Sequence, residues 1–367
     1  MTVHAVDHVE FYVGDVFQAA HYYRTTYGFR VVAEASPLTG LAGARSLLLV
    51  HGGVRLVLTS ALHDDHTAAR FVRRHGDGVR DVALLSTDAV GDFERALSAG
   101  AEAVAGPRVF EGEDGRVVTA TIAATNDLVH TFVERGDSSG PFLPGRYLPT
   151  AEAAPAGPGL FRSVDHFALC LRPGSLAAMV DFYQRALGLN HTYEEYIVVG
   201  GQAMDSKVVQ DDTRSVTFTM VEPGTADRGG QLHGFLDAFG GPGVQHVAFG
   251  TDDIVHAAHE LRDRGVEFLS TPADYYASLE ERGIDVDFEA RVLQELGLLV
   301  DRDEWGHLVQ VFTRSPYARR TVFFELIQRI EARTFGGGNI RALYEAVERE
   351  RSGAQASAEP VGAGAAR

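Results

Sequence analysis

The sequence predicts an α+β protein made of two homologous halves, and an internal repeat supports this. The alternating stretch "VDHVEFYV" at residues 6–13 leads into an aromatic-rich helical pattern, and "VDHFALCL" at 164–171 does the same. "GVRDVALL" at 78–85 returns as "GVQHVAFG" at 243–250, again followed by a helical pattern. Because the repeats occur in the same order, each half contains two strand–helix modules. Hairpin-forming strands after each helix favour α+β over an alternating parallel sheet.

Composition marks the expected domain boundaries. Residues 136–160 are rich in Gly, Pro, Ser and Ala and lack periodicity, which is typical of a linker. We therefore expect an N-terminal domain over 1–135 and a C-terminal domain over 161–351. Residues 352–367 contain too few large apolar side chains to pack, so a disordered tail is expected there.

Bulk properties exclude several classes of protein. The chain of 367 residues has a net charge of −17, which argues against nucleic acid or an anionic membrane as partner. No apolar run approaches the roughly 20 residues of a membrane span, and the first residues do not follow a signal-peptide pattern. The single cysteine, Cys170, excludes an intrachain disulfide and suits a reducing compartment. We expect a cytoplasmic protein.

Three residues of the C-terminal half are candidate metal ligands. Strand alternation puts His166 on one face with Ala168, and His246 on one face with Ala248, which leaves space beside each imidazole. Glu325 falls inside the apolar run "TVFFELI". A buried carboxylate needs a partner, and a metal ion would supply one.

A structural explanation of each residue is also available. A lone strand histidine is usually hydrogen-bonded, and Glu325 could pair with Arg319 or Arg320. The repeat favours the metal, because the N-terminal half carries His8, Asp81 and Thr131 at the matching places. Only the second half presents two imidazoles and a carboxylate, the facial ligand set of non-haem Fe(II) oxygenases. Zinc is chemically compatible with this set, but the HExxH helix of zinc proteases is absent.

The stretches "DEWGHLVQVFT", "TVFFELIQR" and "TFGGGNIRALYEAVE" resemble the C-terminal half of the 4-hydroxyphenylpyruvate dioxygenase family, which includes 4-hydroxymandelate synthases. The resemblance implies the vicinal oxygen chelate fold, in which paired βαβββ modules form an open barrel around a metal. It implies Fe(II) held by His166, His246 and Glu325, and a C-terminal helix that closes over the pocket. The family's substrate-contacting positions fall on Ser206, Thr219, Val221, Gln231, Gln245, Gln310, Phe312, Phe323, Phe335, Asn339 and Tyr344.

One strand distinguishes the two activities of this family. The dioxygenases typically have a Pro-x-Asn sequence ahead of Glu-Pro, whereas "SVTFTMVEPGT" has Thr219 and Val221 there and is similar to the synthases. The resemblance therefore implies benzylic hydroxylation of 4-hydroxyphenylpyruvate with O₂, giving 4-hydroxymandelate and CO₂. It also implies a homodimer and a role in supplying hydroxyphenylglycine for peptide antibiotics. Ring oxidation to homogentisate is the alternative.

Two further classes stay open at this point. A non-catalytic binding protein of the superfamily would have little use for two histidines and a glutamate, and it would be distinguished by a lack of bound iron. A ring-cleaving catechol dioxygenase shares the ligand set, but its acid–base histidine and tyrosine have no counterpart that can be identified in the sequence. A comparison of a catechol with an arylpyruvate as substrate distinguishes a ring-cleaving dioxygenase from an enzyme of the 4-hydroxyphenylpyruvate dioxygenase family.

Overall fold

The structure of the chain is a computed structural model. The structure describes residues 2–113, 115–136, 140–153, 159–199, 201–225, 229–277 and 288–335, together with 279, 284, 338, 339, 341 and 342. The predicted tail, 352–367, lies outside the described residues. In the described part of the chain, no helix combines the length and the apolar character needed to cross a membrane.

The N-terminal half is one nine-stranded sheet with helices packed on it. Its strands are β1 (Val3–Tyr12), β2 (Arg30–Ala35), β3 (Ala44–His51), β4 (Val54–Ala61), β5 (Gly78–Ser86), β6 (Ala103–Gly112), β7 (Gly115–Ala123), β8 (Val129–Arg135) and β9 (Leu148–Pro149). Its helices are α1 (Val16–Tyr27), α2 (Thr67–His75) and α3 (Ala89–Ser98). Asp15 caps α1 by accepting the backbone N–H groups of Phe17 and Gln18, and Gly28 ends it in a left-handed conformation.

The C-terminal half repeats this arrangement in an eight-stranded sheet. Its strands are β10 (Ser163–Cys170), β11 (Asn190–Val199), β12 (Gln202–Gln210), β13 (Thr217–Pro223), β14 (Gly243–Gly250), β15 (Leu299–Arg302), β16 (His307–Phe312) and β17 (Phe323–Ile330). Its helices are α4 (Leu176–Leu187), α5 (Gln231–Phe239), α6 (Ile254–Asp263), α7 (Ala273–Ala277) and α8 (Ala290–Leu296).

Apart from the two-residue edge strand β9, both sheets have the same topology, which confirms the predicted repeat. The strand order is β6-β7-β8-β5-β1-β4-β3-β2-β9 in the first half and β11-β12-β13-β10-β14-β17-β16-β15 in the second. In each half the first strands of the two modules are adjacent and antiparallel, and each also pairs in parallel with the last strand of its own module. Each module is therefore a βαβββ unit, and each half is an open, curled barrel of two units. This is the vicinal oxygen chelate fold.

Aromatic side chains join the two halves. Tyr23 and Tyr27 on α1 contact the ring of Phe324 on β17, with centroids 5.8 and 5.2 Å apart. In the other direction, the hydroxyl of Tyr183 on α4 lies 2.8 Å from Nε2 of His130 on β8. These rings are almost fully buried, and burying each side chain of this size contributes roughly 1.5–3 kcal/mol. The halves therefore share one core, while the concave face of each barrel holds polar groups.

Part of the predicted linker is packed on the N-terminal sheet. Leu148 of β9 pairs with Glu34 of β2, and Tyr147 is buried among apolar side chains of that sheet. Gly53 donates its N–H to the carbonyl of Phe161 over 3.0 Å, which fastens the far end of the linker as well. Within the described residues, 140–153 thus belong to the N-terminal body.

Candidate metal centre

His166 lies on β10 beside a β-bulge. The register of β10 against β14 shifts between Val164 and His166, and such bulges change the direction in which a side chain points. The His166 side chain is almost completely buried, and its Nδ1 lies 2.8 Å from Oδ1 of Asp165. This hydrogen bond fixes the ring and leaves Nε2 directed at the barrel interior.

The sheet register brings His246 and Glu325 next to His166. Ala248 on β14 pairs with His166 on one side and with Glu325 on β17 on the other. His246 is two residues before Ala248 and so faces the same side of the sheet. Nε2 of His166 lies 3.3 Å from Nε2 of His246, and Oε2 of Glu325 lies 3.2 and 3.3 Å from these two nitrogens.

This triangle of ligand atoms fits a metal ion. Ligands about 2.1 Å from a common ion are about 3.0 Å apart at adjacent octahedral positions and about 3.4 Å apart at tetrahedral ones. The three observed separations lie between these values, so the three groups could hold an ion from one side. Oε2 of Glu325 is buried and faces the two imidazole nitrogens, but it accepts no hydrogen bond of good geometry from the described residues. A buried carboxylate oxygen needs a donor or a cation, and a metal ion at the centre of the triangle would supply one.

The ionisation of the three groups also suits a cation. Burial alone would raise the pKa of Glu325, but the His166 and His246 imidazoles outweigh it and hold the pKa at about 2. Burial opposes the charged form of His166, yet Glu325 and Asp165 raise the His166 pKa to about 9. Burial lowers the pKa of His246. Without metal, a proton on His166 balances the carboxylate, so metal binding has to release that proton.

Behind His166, a buried ion pair fixes Asp165. Arg329 on β17 donates from Nε to Oδ2 of Asp165 and from Nη2 to Oδ1, each over 2.8 Å. Nη1 of Arg329 donates to the carbonyl of Thr334 over 2.7 Å, and the guanidinium lies 4.9 Å from the centroid of the Phe335 ring. The orientation of the His166 ring is therefore determined by an Arg329–Asp165–His166 chain.

Behind Glu325, a chain of amides fixes the carboxylate. Nε2 of Gln310 donates to Oε1 of Glu325 over 2.6 Å, and Nδ2 of Asn339 donates to Oε1 of Gln310 over 2.7 Å. The hydroxyl of Tyr275 donates to Oδ1 of Asn339 over 3.0 Å. Because Oε1 of Glu325 is held in this way, Oε2 is the oxygen presented to the histidines.

Three phenylalanines surround the imidazoles. The ring of Phe335 meets that of His166 edge-on at 4.7 Å, and the ring of Phe323 stacks on that of His246 at 4.9 Å. Phe312 meets His246 edge-on at 5.9 Å. These rings form an apolar wall beside the two imidazoles.

A small cavity of about 50 Å³ lies against the triangle, and it brings together most of the predicted site residues. Besides the three ligands, it is lined by the predicted residues Ser206, Thr219, Val221, Gln231, Gln245, Gln310, Phe312, Phe323 and Phe335, and by Ala168 and Met204. Asn339 reaches the site through Gln310 rather than by lining the cavity. Tyr344 lies outside the described residues.

Comparison with known proteins agrees with this geometry. The chain matches the sequence profile of the Glyoxalase/Bleomycin resistance protein/Dioxygenase superfamily over residues 5–124 and 163–311. The 4-hydroxyphenylpyruvate dioxygenase of Aspergillus fumigatus is 34% identical over 94% of this chain and 92% of its own length. That of Dictyostelium discoideum is 34% identical over 94% of this chain and 97% of its own length. The chain belongs to the 4-hydroxyphenylpyruvate dioxygenase family.

A solved structure of the same family is also similar. It is a mutant of 4-hydroxymandelate synthase from Streptomyces coelicolor, 42% identical, with a TM-score of 0.88, covering 96% of this chain and 100% of that one. A fusion protein of a xylose isomerase-like TIM barrel and a 4-hydroxyphenylpyruvate dioxygenase shares the fold at 22% identity, with a TM-score of 0.73. Membership of this family makes the chain an enzyme of the dioxygenase type and implies a metal cofactor.

The N-terminal half has the same arginine–aspartate–histidine contacts as the C-terminal half, but not the same set of candidate metal ligands. Arg135 pairs with Asp7 through Nε at 2.6 Å and Nη2 at 2.8 Å, and Nδ1 of His8 lies 2.7 Å from Asp7. Asp81, at the position of His246, instead accepts hydrogen bonds from the backbone N–H and the hydroxyl of Thr131. Among the described residues, only the C-terminal half gathers three potential metal ligands.

The sequence interpretation missed Asp165 and Arg329. A signal for the aspartate was present, because "VDH" occurs at 6–8 and again at 164–166. Glu325 and its counterpart Thr131 are each followed by an arginine four residues later, Arg329 and Arg135. The repeat thus contained the supporting residues as well as the candidate ligands.

Proposed function

We propose that this enzyme performs the Fe(II)-dependent oxidative decarboxylation of 4-hydroxyphenylpyruvate with O₂, forming 4-hydroxymandelate and CO₂. The observation that carries this proposal is the facial triangle of His166, His246 and Glu325, which faces a cavity walled by aromatic rings. Three ligands on one side leave the other side of the metal for substrate and O₂. The family of the chain supports the same class of substrate.

His166, His246 and Glu325 would hold the iron. When bound, Fe(II) would provide a template for the 2-oxo acid and O₂ and would pass electrons from the substrate to O₂. In the overall reaction, the bond between the substrate carboxylate and its keto carbon breaks and CO₂ leaves. One oxygen atom of O₂ ends in the new carboxylate, and the other ends in the benzylic hydroxyl.

The chain's remaining contribution is to bind and orient the substrate. Phe312, Phe323 and Phe335 offer an apolar wall for the aryl ring. The hydroxyls of Ser206 and Thr219 face the same cavity, are buried, and lack hydrogen-bond partners among the described residues. A buried hydroxyl gains most from a new partner, so each would bind a polar group of the substrate.

Val221 supports benzylic rather than ring oxidation. It lies beside Ser206 and Cys170 in the sheet and lines the cavity with an apolar side chain. An asparagine here would add a hydrogen-bonding group and change the pose of the aryl ring, and a shift of about 1 Å can decide which carbon reacts. Val221→Asn should therefore yield some homogentisate at the expense of 4-hydroxymandelate. An unchanged product ratio would contradict this account of selectivity.

Homogentisate formation is the second candidate. The curated relatives that are 34% identical over 94% of this chain carry the name 4-hydroxyphenylpyruvate dioxygenase. Homogentisate formation would use the same metal ligands and the same substrate, so it differs from the main proposal only in the carbon that is oxidised.

The wider context is also proposed from the family resemblance. We propose a cytoplasmic homodimer whose domains are 1–135 and 161–351, with a role in supplying hydroxyphenylglycine for peptide antibiotics. Light scattering on the purified protein tests the dimer, because a monomeric mass at micromolar concentration would contradict it.

Oxygen uptake tests the reaction class. Wild-type protein loaded with Fe(II) should consume O₂ and release equimolar CO₂ when given 4-hydroxyphenylpyruvate. It should consume none when given a catechol. Glu325→Gln, which keeps the shape of the side chain, should lose both iron and uptake. Uptake with the catechol alone would show that the enzyme is a ring-cleaving dioxygenase instead.

A further inference from the structure

A second, larger cavity adjoins the metal pocket. It measures about 480 Å³ and shares the lining residues Gln231, Gln245 and Phe323 with the 50 Å³ metal pocket. It lies between the start of α5, the segment after β16 and the start of β17. The inner cavity is about a tenth of the size of the outer one, and the outer one is within the usual size of ligand sites.

The rim of this outer cavity is rich in arginine. Arg314 pairs with Glu267 across the rim at 3.3 Å. Arg319 donates to two backbone carbonyls of α2 over 2.7 and 3.1 Å, which fastens the rim to the N-terminal half. Arg320 is exposed, and its guanidinium makes no hydrogen bond or ion pair with the described residues. It is therefore available to an anion.

The wall behind Arg320 combines apolar surface with one unpartnered hydroxyl. Oγ1 of Thr321 has no hydrogen-bond partner among the described residues, although the residue is only 1% exposed and lines the cavity. Phe235 and Leu269 supply the apolar surface. A cation, a buried hydroxyl and an apolar wall together match a small aryl acid, with its carboxylate at the arginine.

Phe323 is the one aromatic residue among the three that line both cavities. Its ring lines both of them and stacks on His246 at 4.9 Å with 29° between the ring planes. Thr321 and Phe323 are two residues apart, so in the extended chain leading into β17 they face the same side as Glu325. A rotation of the Phe323 side chain would join the outer cavity to the metal pocket.

We propose that the outer cavity is an access vestibule that captures the aryl 2-oxo acid before it reaches the metal, with Arg320 binding its carboxylate and Phe323 as the gate. This inference rests on the proposed function for the identity of the ligand. The chain's charge of −17 repels an anionic substrate at long range. A local group of arginines offsets that repulsion where the substrate enters.

Binding to metal-free protein tests the vestibule without turnover. The probe is 4-hydroxyphenylpyruvate, observed by the broadening of its aromatic proton signals in NMR. Arg320→Gln should weaken binding about 5-fold, the effect of one charge pair near the surface. Arg320→Lys should restore most of it. Arg108→Gln, the same charge change at an exposed site on β6, should bind like the wild type. Equal binding by wild type and Arg320→Gln would overturn the vestibule.

Kinetics and stability of the iron-loaded enzyme give a second readout. In Arg320→Gln, kcat/KM for 4-hydroxyphenylpyruvate should fall about 5-fold at low ionic strength and approach the wild-type value at high salt, with kcat unchanged. Thr321→Val should raise Tm, because it removes a buried hydroxyl without a partner, and it should also raise KM. A higher Tm with an unchanged KM would show that Thr321 has no role in capture.

The two proposals fail in different ways. If iron-loaded wild type consumes no O₂ with 4-hydroxyphenylpyruvate, the proposed function is wrong. The metal-free titration still decides the vestibule in that case, because it requires neither iron nor O₂. If turnover proceeds but salt affects wild type and Arg320→Gln equally, only the vestibule is wrong.

Discussion

Replacing Asp165 with asparagine should weaken metal binding through His166 rather than through a lost ligand. Asp165 accepts one hydrogen bond of 2.8 Å from His166 and two of 2.8 Å from Arg329. Asparagine keeps the shape of the side chain but removes its charge, and its amide group turns a donor towards one of these two partners. The His166 ring then loses either its hydrogen-bond acceptor or the support behind that acceptor.

The expected loss follows from these contacts. Removing the carboxylate that orients a metal-bound histidine typically lowers metal affinity about 10–100-fold, or about 1.4–2.7 kcal/mol. A charge-assisted hydrogen bond in a buried site is worth about 1.5–3 kcal/mol, so the metal-free protein should also lose stability of that order. The dissociation constant of Fe(II) or Co(II) is measured anaerobically in competition with a chromogenic chelator. Urea unfolding of the metal-free protein gives the stability.

The N-terminal half supplies the matched control. Asp7 makes the corresponding three contacts, at 2.7 Å with His8 and at 2.6 and 2.8 Å with Arg135, and a longer fourth one of 3.5 Å to Arg55. Among the described residues, no group of three potential metal ligands lies beside it. Asp7→Asn should therefore lower the free energy of unfolding by a similar amount and leave metal affinity within about twofold. If both variants bind metal like the wild type, the positioning role of Asp165 is refuted. If both weaken it equally, the effect is general destabilisation.

Three further predictions concern both halves. Burial raises the pKa of Glu10 from 4.5 to about 7, so the folded state favours its neutral form and stability falls as the pH rises through this range. The Glu10 side chain is partly accessible to solvent, which reduces the effect of this pKa shift on stability. Glu10→Gln should therefore raise the free energy of unfolding by about 1–2 kcal/mol at pH 8 and by little at pH 4. An equal gain at both pH values would refute this. His246→Ala should abolish iron binding and turnover, while Asp81→Ala leaves both largely intact; equal loss in two folded variants would contradict the assignment of the ligands. Truncation after Arg333 removes the Thr334 carbonyl behind Arg329, the Phe335 ring of the pocket wall and the Asn339 amide that holds Gln310. The truncated protein should still bind iron but consume O₂ poorly or uncouple its uptake from product; product at the full rate would exclude a role for that segment.

The sequence indicated His166 and His246 as candidate ligands because strand alternation is local. A period of two residues puts His166 and Ala168 on one face of β10, and the internal repeat showed that Asp81 replaces His246 in the other half. Alternation cannot predict a β-bulge, and the one before His166 changes how β10 pairs with β14. The distances in the ligand triangle follow from that pairing, so only the structure could provide them.

Long-range contacts account for what the sequence did not predict. Arg329 and Asp165 are 164 residues apart, and no local pattern pairs them. The outer cavity forms where α5 and the connection between β16 and β17 come together, so its arginine rim was not recognisable in the sequence. The linker showed no periodicity because it packs through scattered side chains such as Tyr147 rather than through a long regular element.

Identification of the product tests the central claim most directly. Wild-type protein is incubated with 4-hydroxyphenylpyruvate, Fe(II) and ¹⁸O₂, and the products are separated by chromatography and analysed by mass spectrometry. We predict 4-hydroxymandelate with one labelled oxygen in the benzylic hydroxyl and one in the carboxylate, and no homogentisate. Homogentisate as the only product would contradict the proposed reaction and would assign the chain to ring oxidation.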